Sequence, residues 1–268
     1  MNNILDNIIA DKRILINKFK SNFSPEYVPY AIEKRIDFIK SYYNYYDKSN
    51  HMSDNRFSSM SQSIINSENG IIAEFKRRSP SKGDICKEAQ VGDVIPFYNQ
   101  KNVAGISVLT DSKYFGGNNE DFTKARSLTV KPMLRKDFII DEFQILESSY
   151  LGANLILLIA ACLTKEEIKR FSSIAHSLNM ETLLEIHDEN EIDSFCDDID
   201  IIGVNNRNLK TFVTDINISL SLYDKLPKEV VKISESGIAS ASDINMLKDA
   251  GYNGFLVGES MMHKLDIL

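Results

Sequence analysis

The stretch IIAEFKRRSPSKG, residues 71 to 83, sets an apolar run directly against charge, with Glu74 and Lys76 two residues apart before a turn through Ser79, Pro80 and Gly83. Read as a strand, residues 71 to 76 alternate, so Glu74 and Lys76 share one face and Phe75 takes the other. On an edge strand such a pair is merely solvated. On a central strand it is a buried ion pair, which is costly unless something uses it. The fold turns on which of the two this strand is.

Seven more short apolar runs follow GIIAEF: AGISVLT, PMLRKDF, NLILLIA, TLLEI, DIIGVNN, VVKISES and GFLVGES. They are rich in Ile, Leu and Val with little polar alternation, the habit of parallel strands buried on both faces. Helix signals separate most of them. Asp141 caps EFQILESSYLG with Gln144 three residues on and Gly152 as the stop; Thr164 and Glu167 form a capping-box pattern; SASDINMLKDAG opens on serines and closes on Gly251. Strand and helix alternating eight times predict a (β/α)8 TIM barrel with right-handed crossovers, and counting strands leaves a doubly wound open sheet as the alternative.

Residues 1–69 differ in character. ILDNIIADKRILINKF spaces Ile4, Leu5, Ile8, Ile9, Leu15, Ile16 and Phe19 as a helix would, and a second helix is expected after Pro25. The tyrosine-rich NYYDKSNHMSDN reads as a surface connection. The expectation is one domain over 1–268, its amino-terminal 69 residues a helical extension and connection packed on the barrel.

Composition bounds the partners. With 268 residues, 43% hydrophobic, 26% charged and a net charge of -7, the chain reads as an ordinary globular protein without a general nucleic-acid or anionic-membrane surface. Any anion site should be a local pocket. The start lacks a signal-peptide pattern, and the longest apolar run, LILLIAACL, is far below the roughly 20 residues of a membrane span. It reads as a buried strand entering a turn. Cys86, Cys162 and Cys196 suit reduced thiols in a cytoplasmic protein. Neither they nor His51, His176, His187 and His263 fall at metal-ligand spacing, so no metal and no cofactor are expected.

A parallel barrel places its site where strands end. Those ends carry Glu74 and Lys76, Lys136, Glu185, Asn205 and Arg207, Glu235 and Ser236, then Gly258, Glu259 and Ser260. Charges scattered in sequence would converge on one mouth, which gives Glu74 and Lys76 their reason. The loops SESGI and VGES are small and glycine-containing, so backbone N–H groups can approach a phosphate there. His187 and Cys162 read as a rim histidine and a small buried apolar residue.

These segments, IIAEFKRRSPSKG, VLTDSKYFGG, MLRKDFIID, LLEIHDE, GVNNRNL, ISESGI and FLVGESMM, stand in the order found in the indole-3-glycerol phosphate synthase family, which the chain resembles over nearly its whole length. The amino-terminal ILDNIIADKR is similar to that family's extra helical segment. The resemblance implies conversion of 1-(2-carboxyphenylamino)-1-deoxyribulose 5-phosphate to indole-3-glycerol phosphate, carbon dioxide and water, in tryptophan biosynthesis. It also implies roles: Lys136 as principal general acid, Glu185 as base in dehydration, and Lys76 as a second cation serving as acid or holding substrate charge. Glu74, Asn205 and Glu235 would orient lysines and substrate hydroxyls, with Arg207 supporting that network. Ser79, Ser236, Gly237, Gly258 and Ser260 are expected around the phosphate, and Pro80, Phe115, Phe138 and Leu157 around the anthranilate ring.

The resemblance departs in two places, a short final helix after VGESMM and a loose match in the second helical region. No isomerase domain follows, so a monofunctional protein is expected. Phosphoribosylanthranilate isomerase, of similar fold, is disfavoured because that family carries a catalytic cysteine where this chain has Glu74 and Lys76. A non-catalytic phosphometabolite-binding barrel would tolerate loss of Lys136 or Glu185, and both are present.

Overall fold

The computed structural model describes residues 4–47 and 58–263, with side chains left out for 40–47. Eight parallel strands close on themselves: β1 (Ile71–Phe75), β2 (Gly105–Leu109), β3 (Met133–Lys136), β4 (Leu155–Ile159), β5 (Glu181–Ile186), β6 (Ile201–Asn205), β7 (Val231–Glu235) and β8 (Gly254–Val257). The ring is sealed by β8 beside β1, with Ile71 opposite Phe255 and Ala73 opposite Val257. The barrel is therefore shut and the open-sheet alternative is excluded. Barrels of this kind are packed cores whose mouths host chemistry.

The period-2 alternation sorts the strands into two cores. Ile72, Leu134, Leu155, Leu157, Leu183, Ile201, Ile233 and Leu256 point inward and fill the barrel. Ala73, Phe75, Met133, Ile156, Leu184, Ile202, Val204 and Phe255 point outward beneath the helices. The inward register, continued towards the carboxyl ends, arrives at Glu74, Lys136, Glu185, Asn205 and Glu235, all lining one cavity.

Between the strands run α4 (Val91–Gln100), α5 (Ser112–Phe115), α6 (Asn119–Leu128), α7 (Glu142–Leu151), α8 (Lys165–Ser177), α9 (Asn217–Leu222), α10 (Ala241–Ala250) and α11 (Glu259–Met262), numbered after the three helices of the extension. The caps follow from their residues. Asp141 accepts from the Phe143 N–H, Thr164 and Glu167 complete a capping box, and Ser240 with Asp243 completes another. Gly152 and Gly251 end their helices at φ 86° and 110°, a region costly for a side chain bearing a Cβ. Gln144 is the one revision: it bonds the Ile140 N–H and the Phe138 carbonyl, fixing the loop after β3. The last helix is as short as expected, four residues, and 264–268 lie outside the described residues.

The extension forms α1 (Ile4–Lys20), α2 (Tyr27–Asp47) and α3 (Met60–Ile65). The buried face of α1 is Leu5, Ile8, Lys12 and Ile16. Leu15 and Phe19, expected in the apolar stripe, lie beside it and remain exposed, Phe19 leaning on Phe143 with ring centroids 4.7 Å apart. The stripe is narrow because the helix lies across the barrel rim. Arg35 of α2 donates to the side chain and carbonyl of Ser149 in α7. The short α3 seals the barrel floor with Met60 and Ile64, both buried. A Cβ on Gly105 would lie 2.2 Å from the Met60 sulfur, so that position has to be bare. The tyrosine-rich connection, expected over residues 44 to 55, is helical to Asp47, and the rest, with His51, lies outside the described residues.

Candidate active site

At the mouth, Lys136 stands between two carboxylates, its Nζ 2.5 Å from Glu235 Oε2 and 3.2 Å from Glu185 Oε2. Beside them Lys76 Nζ lies 2.6 Å from Glu74 Oε1. Sequence-distant strands β1, β3, β5 and β7 thus deliver two lysines and three glutamates to one cavity. Burial works against the Lys136 charge, yet Glu235, Glu185 and Glu74 together lift its pKa well above the ordinary lysine value. Burial likewise opposes the charge on Glu185, but Lys136, then His187 and Asn205, hold it well below the usual carboxylate range. Glu235 goes the other way: burial pushes it up to about 7, Lys136 opposing and Glu185 adding to the rise. Carboxylates driven apart by their surroundings are the electrostatic pattern of acid–base sites.

Two features tighten this constellation. Glu235 Oε1 has no hydrogen-bond partner among the described residues and faces Gly203, where a Cβ would come within 2.3 Å of it. Gly258 is bare for a similar reason, since its Cβ would meet Glu74 Oε1 at 2.6 Å. Gly258 thus makes room for the glutamate of β1, in addition to shaping the loop after β8.

The expected apolar slot is assembled from Pro80, Phe115, Phe138 and Leu157, which line the same cavity, the two phenylalanine rings 6.0 Å apart at 37°. Leu5 and Ile8 of α1, with Leu209 and Phe212, complete its walls. These four had no signal in the strand-end pattern, because they come from the extension and from a loop. An adjoining cavity brings together Ser79, Ser236, Gly237, Gly258 and Ser260, with Lys82 and His263 also at its edge. Ser236 and Gly237 both have positive φ, 66° and 78°, which turns the chain sharply between β7 and α10.

Arg207 departs from expectation. Its guanidinium donates to Ser81 Oγ at 2.6 Å and joins no carboxylate among the described residues; only its backbone N–H reaches Asn205 Oδ1, at 3.0 Å. The residue follows the strand end, so its long side chain crosses to the β1 loop. His187 departs as well. Expected as a rim histidine, it has a side chain only 10% exposed, with Nε2 3.3 Å from Glu185 Oε1. Its place two residues after Glu185 was the available signal, since period 2 puts both on one face.

A further buried charge is Lys12 of α1, 2.9 Å from Asp111 Oδ2 and 2.7 Å from Asp137 Oδ1. Arg135 also lies beside Asp137, on the outward face of β3, whereas its neighbour Lys136 points into the barrel. Burial would raise Asp137, but Lys12 and Arg135 lower it. A polar position mid-helix within an apolar stripe was the trace of this cluster. Among the described residues no group of His, Cys, Asp and Glu is placed to hold a metal, and no helix is long and apolar enough to cross a membrane.

The family model described as "Indole-3-glycerol phosphate synthase" matches residues 5–267. The chain is 42% identical over 262 residues to a protein of that name from Bacteroides thetaiotaomicron, covering 98% of this chain and 94% of that one. It is 36% identical to one from Acetivibrio thermocellus, covering 98% and 96%. Among solved structures, the N-acetylmannosamine-6-phosphate 2-epimerase of Clostridium perfringens overlays with a TM-score of 0.57 at 13% identity, over 75% of this chain and 90% of that one. The tryptophan synthase alpha-subunit of Pyrococcus furiosus overlays with 0.53 at 11%, over 72% and 88%. These two similarities speak to the fold alone.

Proposed function

The chain belongs to the indole-3-glycerol phosphate synthase family, and from that premise we propose which of its residues carry the reaction. The activity is that of a carbon–carbon lyase of tryptophan biosynthesis, the decarboxylating and dehydrating ring closure of 1-(2-carboxyphenylamino)-1-deoxyribulose 5-phosphate. The observation that supports the assignment is the Lys136 ammonium held between Glu185 and Glu235 at the barrel mouth.

In the first step the ring carbon bearing the carboxylate attacks the ketone, and Lys136 gives its proton to the oxygen as negative charge develops there. Loss of carbon dioxide restores the aromatic ring. The new hydroxyl then leaves as water, taking a proton from an acid, while Glu185 removes the proton that completes the indole. Lys76 is the second cation, acting as acid or neutralising substrate charge, and Glu74 and Glu235 orient the two lysines. Asn205 faces Glu185 and lowers its pKa, which fits an orienting role. Arg207, bonded to Ser81, is better placed to hold the β1 loop over substrate than to support the carboxylates.

We place the ring of the substrate among Pro80, Phe115, Phe138 and Leu157, and its phosphate among Ser79, Ser236, Gly237, Gly258 and Ser260. The extension and barrel act as one unit, a reading supported by the Lys12 and Arg35 contacts that join them. A small phosphorylated molecule is the substrate; we propose a cytoplasmic enzyme without nucleic-acid or membrane partner.

The test is the rise of indole fluorescence on mixing purified protein with the substrate, in chelator. Lys136→Ala should lose turnover while remaining folded. Glu185→Gln should slow the dehydration selectively, so that single-turnover traces accumulate a decarboxylated intermediate. A Lys136→Ala protein with wild-type turnover refutes the acid assignment, and a Glu185→Gln effect confined to substrate binding refutes the base.

A further inference from the structure

The residue just past the end of β5 is a polar group that the reaction above does not employ. The His187 imidazole lies between two carboxylates, with Nε2 3.3 Å from Glu185 Oε1 and Nδ1 3.1 Å from Glu191 Oε2. The same Glu191 oxygen accepts the His187 backbone N–H at 2.8 Å, so the 3-10 turn Glu189–Ser194 is tied to the strand end. The ring is 10% exposed, and Nε2, though at ion-pair distance from Glu185, is buried without an aligned hydrogen bond. A neutral imidazole has one N–H and can serve one carboxylate only; facing one from each nitrogen favours the doubly protonated ring.

The charges around this group are few and specific. Lys136 of β3 occupies the other oxygen of Glu185, at Oε2, 3.2 Å away. Glu191 faces the ring from the far side. Cys162, in the segment after β4, feels both glutamates as well as Asp6 and Arg13 of α1, and burial above all pushes its thiol up to about 12, so it adds no charge. The base thus has a separate cation on each oxygen, one of which is the proposed proton donor.

We propose that His187, clamped by Glu191, is a positioning residue for the general base: it fixes Glu185 in its ionised form while Lys136 has given up its proton. When the Lys136 ammonium becomes an amine, Glu185 Oε2 loses its partner, and in a buried site an unpaired carboxylate takes up a proton readily. The imidazolium at Oε1 opposes this without entering the substrate cavity. The inference rests on the assignments of Lys136 and Glu185 made above.

The ring's own pKa agrees: burial lowers it, but Glu185 and Glu191 carry it up to about 10. The experiment is the pH profile of turnover for Glu191→Gln and His187→Gln beside the wild type, with single-turnover resolution of the dehydration step and with folding checked by circular dichroism. Glu191→Gln keeps the ring but removes one of its two carboxylates, so the imidazolium loses its proton at lower pH, and the alkaline limb should move down by about one unit or more. His187→Gln has no cation at any pH. Its acidic limb should move up as the Glu185 pKa rises, with dehydration slowed on the order of 10-fold near neutrality, recovery at higher pH and little change in KM.

A merely structural histidine predicts a uniform loss at every pH, or a change in KM. Profiles that superimpose on the wild type, or differ from it by a constant factor, overturn the proposal. Should His187→Gln not fold, the Glu191→Gln profile decides alone. Failure of the underlying base assignment is read separately, from wild-type dehydration in Glu185→Gln.

Discussion

The floor and the mouth of the barrel use the same inward-pointing strand positions for opposite ends. At the floor, Met60 and Ile64 of α3 enter against Gly105 and Gly254, and the opening is filled with hydrocarbon. The α3 amino end is tied down by Glu181, which accepts from the N–H groups of Met60 and Ser61 and from the hydroxyls of Ser59 and Ser61. At the mouth the next inward layer is the buried Glu74, Glu185 and Glu235 with the part-buried Lys136, ions whose desolvation offsets much of their attraction. A floor of this kind gains stability with every methylene packed; the mouth gives some up to keep charges poised. Separating the two lets one strand serve both needs.

Substitutions can break that division. The largest effect is expected at the mouth: Lys136→Ala should lower turnover by about 10² to 10⁴, roughly 3 to 5 kcal/mol of transition-state stabilisation, with a smaller loss of folding stability because Glu235, already raised to about 7, can take up a proton. Indole fluorescence and a urea titration on the same sample check it. Equal losses of activity and stability would show that the ring of charges is structural.

The rim sharpens the comparison, because Lys12 is a stability element placed at the functional end. Lys12→Met leaves Asp111 and Asp137 buried together and should cost about 3 to 5 kcal/mol. Asp137 is lowered in the folded protein and Lys12 is raised. Asp137 therefore stabilises above its ordinary value and ceases to as pH falls through the depressed one; Lys12 stabilises until pH rises through its raised value. The gap between wild type and variant should be widest from about pH 4 to about pH 10 and close in acid. Urea titrations across that range measure it; a gap independent of pH would mean that packing, not charge, is lost.

The smallest functional effect belongs to the floor. Met60→Ala should destabilise by about 2 to 5 kcal/mol through the cavity it leaves, with kcat unchanged in the surviving folded protein. A matching fall in kcat would mean that the floor transmits strain to the mouth.

Much of this was legible in the residues. Eight Ile-, Leu- and Val-rich runs dictated the strands, and the polar and charged residues at the ends of six of them dictated the mouth, because period 2 holds regardless of what surrounds a strand. What was hidden depended on tertiary contact. Lys12 looks like an ordinary helix lysine until α1 is laid across Asp111 and Asp137, 99 and 125 residues away. Arg207 has a side chain long enough to reach Ser81 on the β1 loop, a partner no local pattern encodes. His187 was within reach of the same alternation that located Glu185, and only its Glu191 partner, supplied by the following turn, gives the ring a second carboxylate.

The amino-terminal segment grips both ends of the barrel, Lys12 at the mouth and Met60 at the floor. Its partners come late in the chain: Asp137 for Lys12, Asp141 for Lys20, Glu181 for Ser59. During synthesis these residues must therefore wait for more than a hundred later ones before they can make those contacts. Contacts of such separation slow folding, and meanwhile Leu5, Ile8 and Met60 have nothing to cover them. Until those partners exist, the apolar face of the extension is where a chaperone would meet the nascent protein.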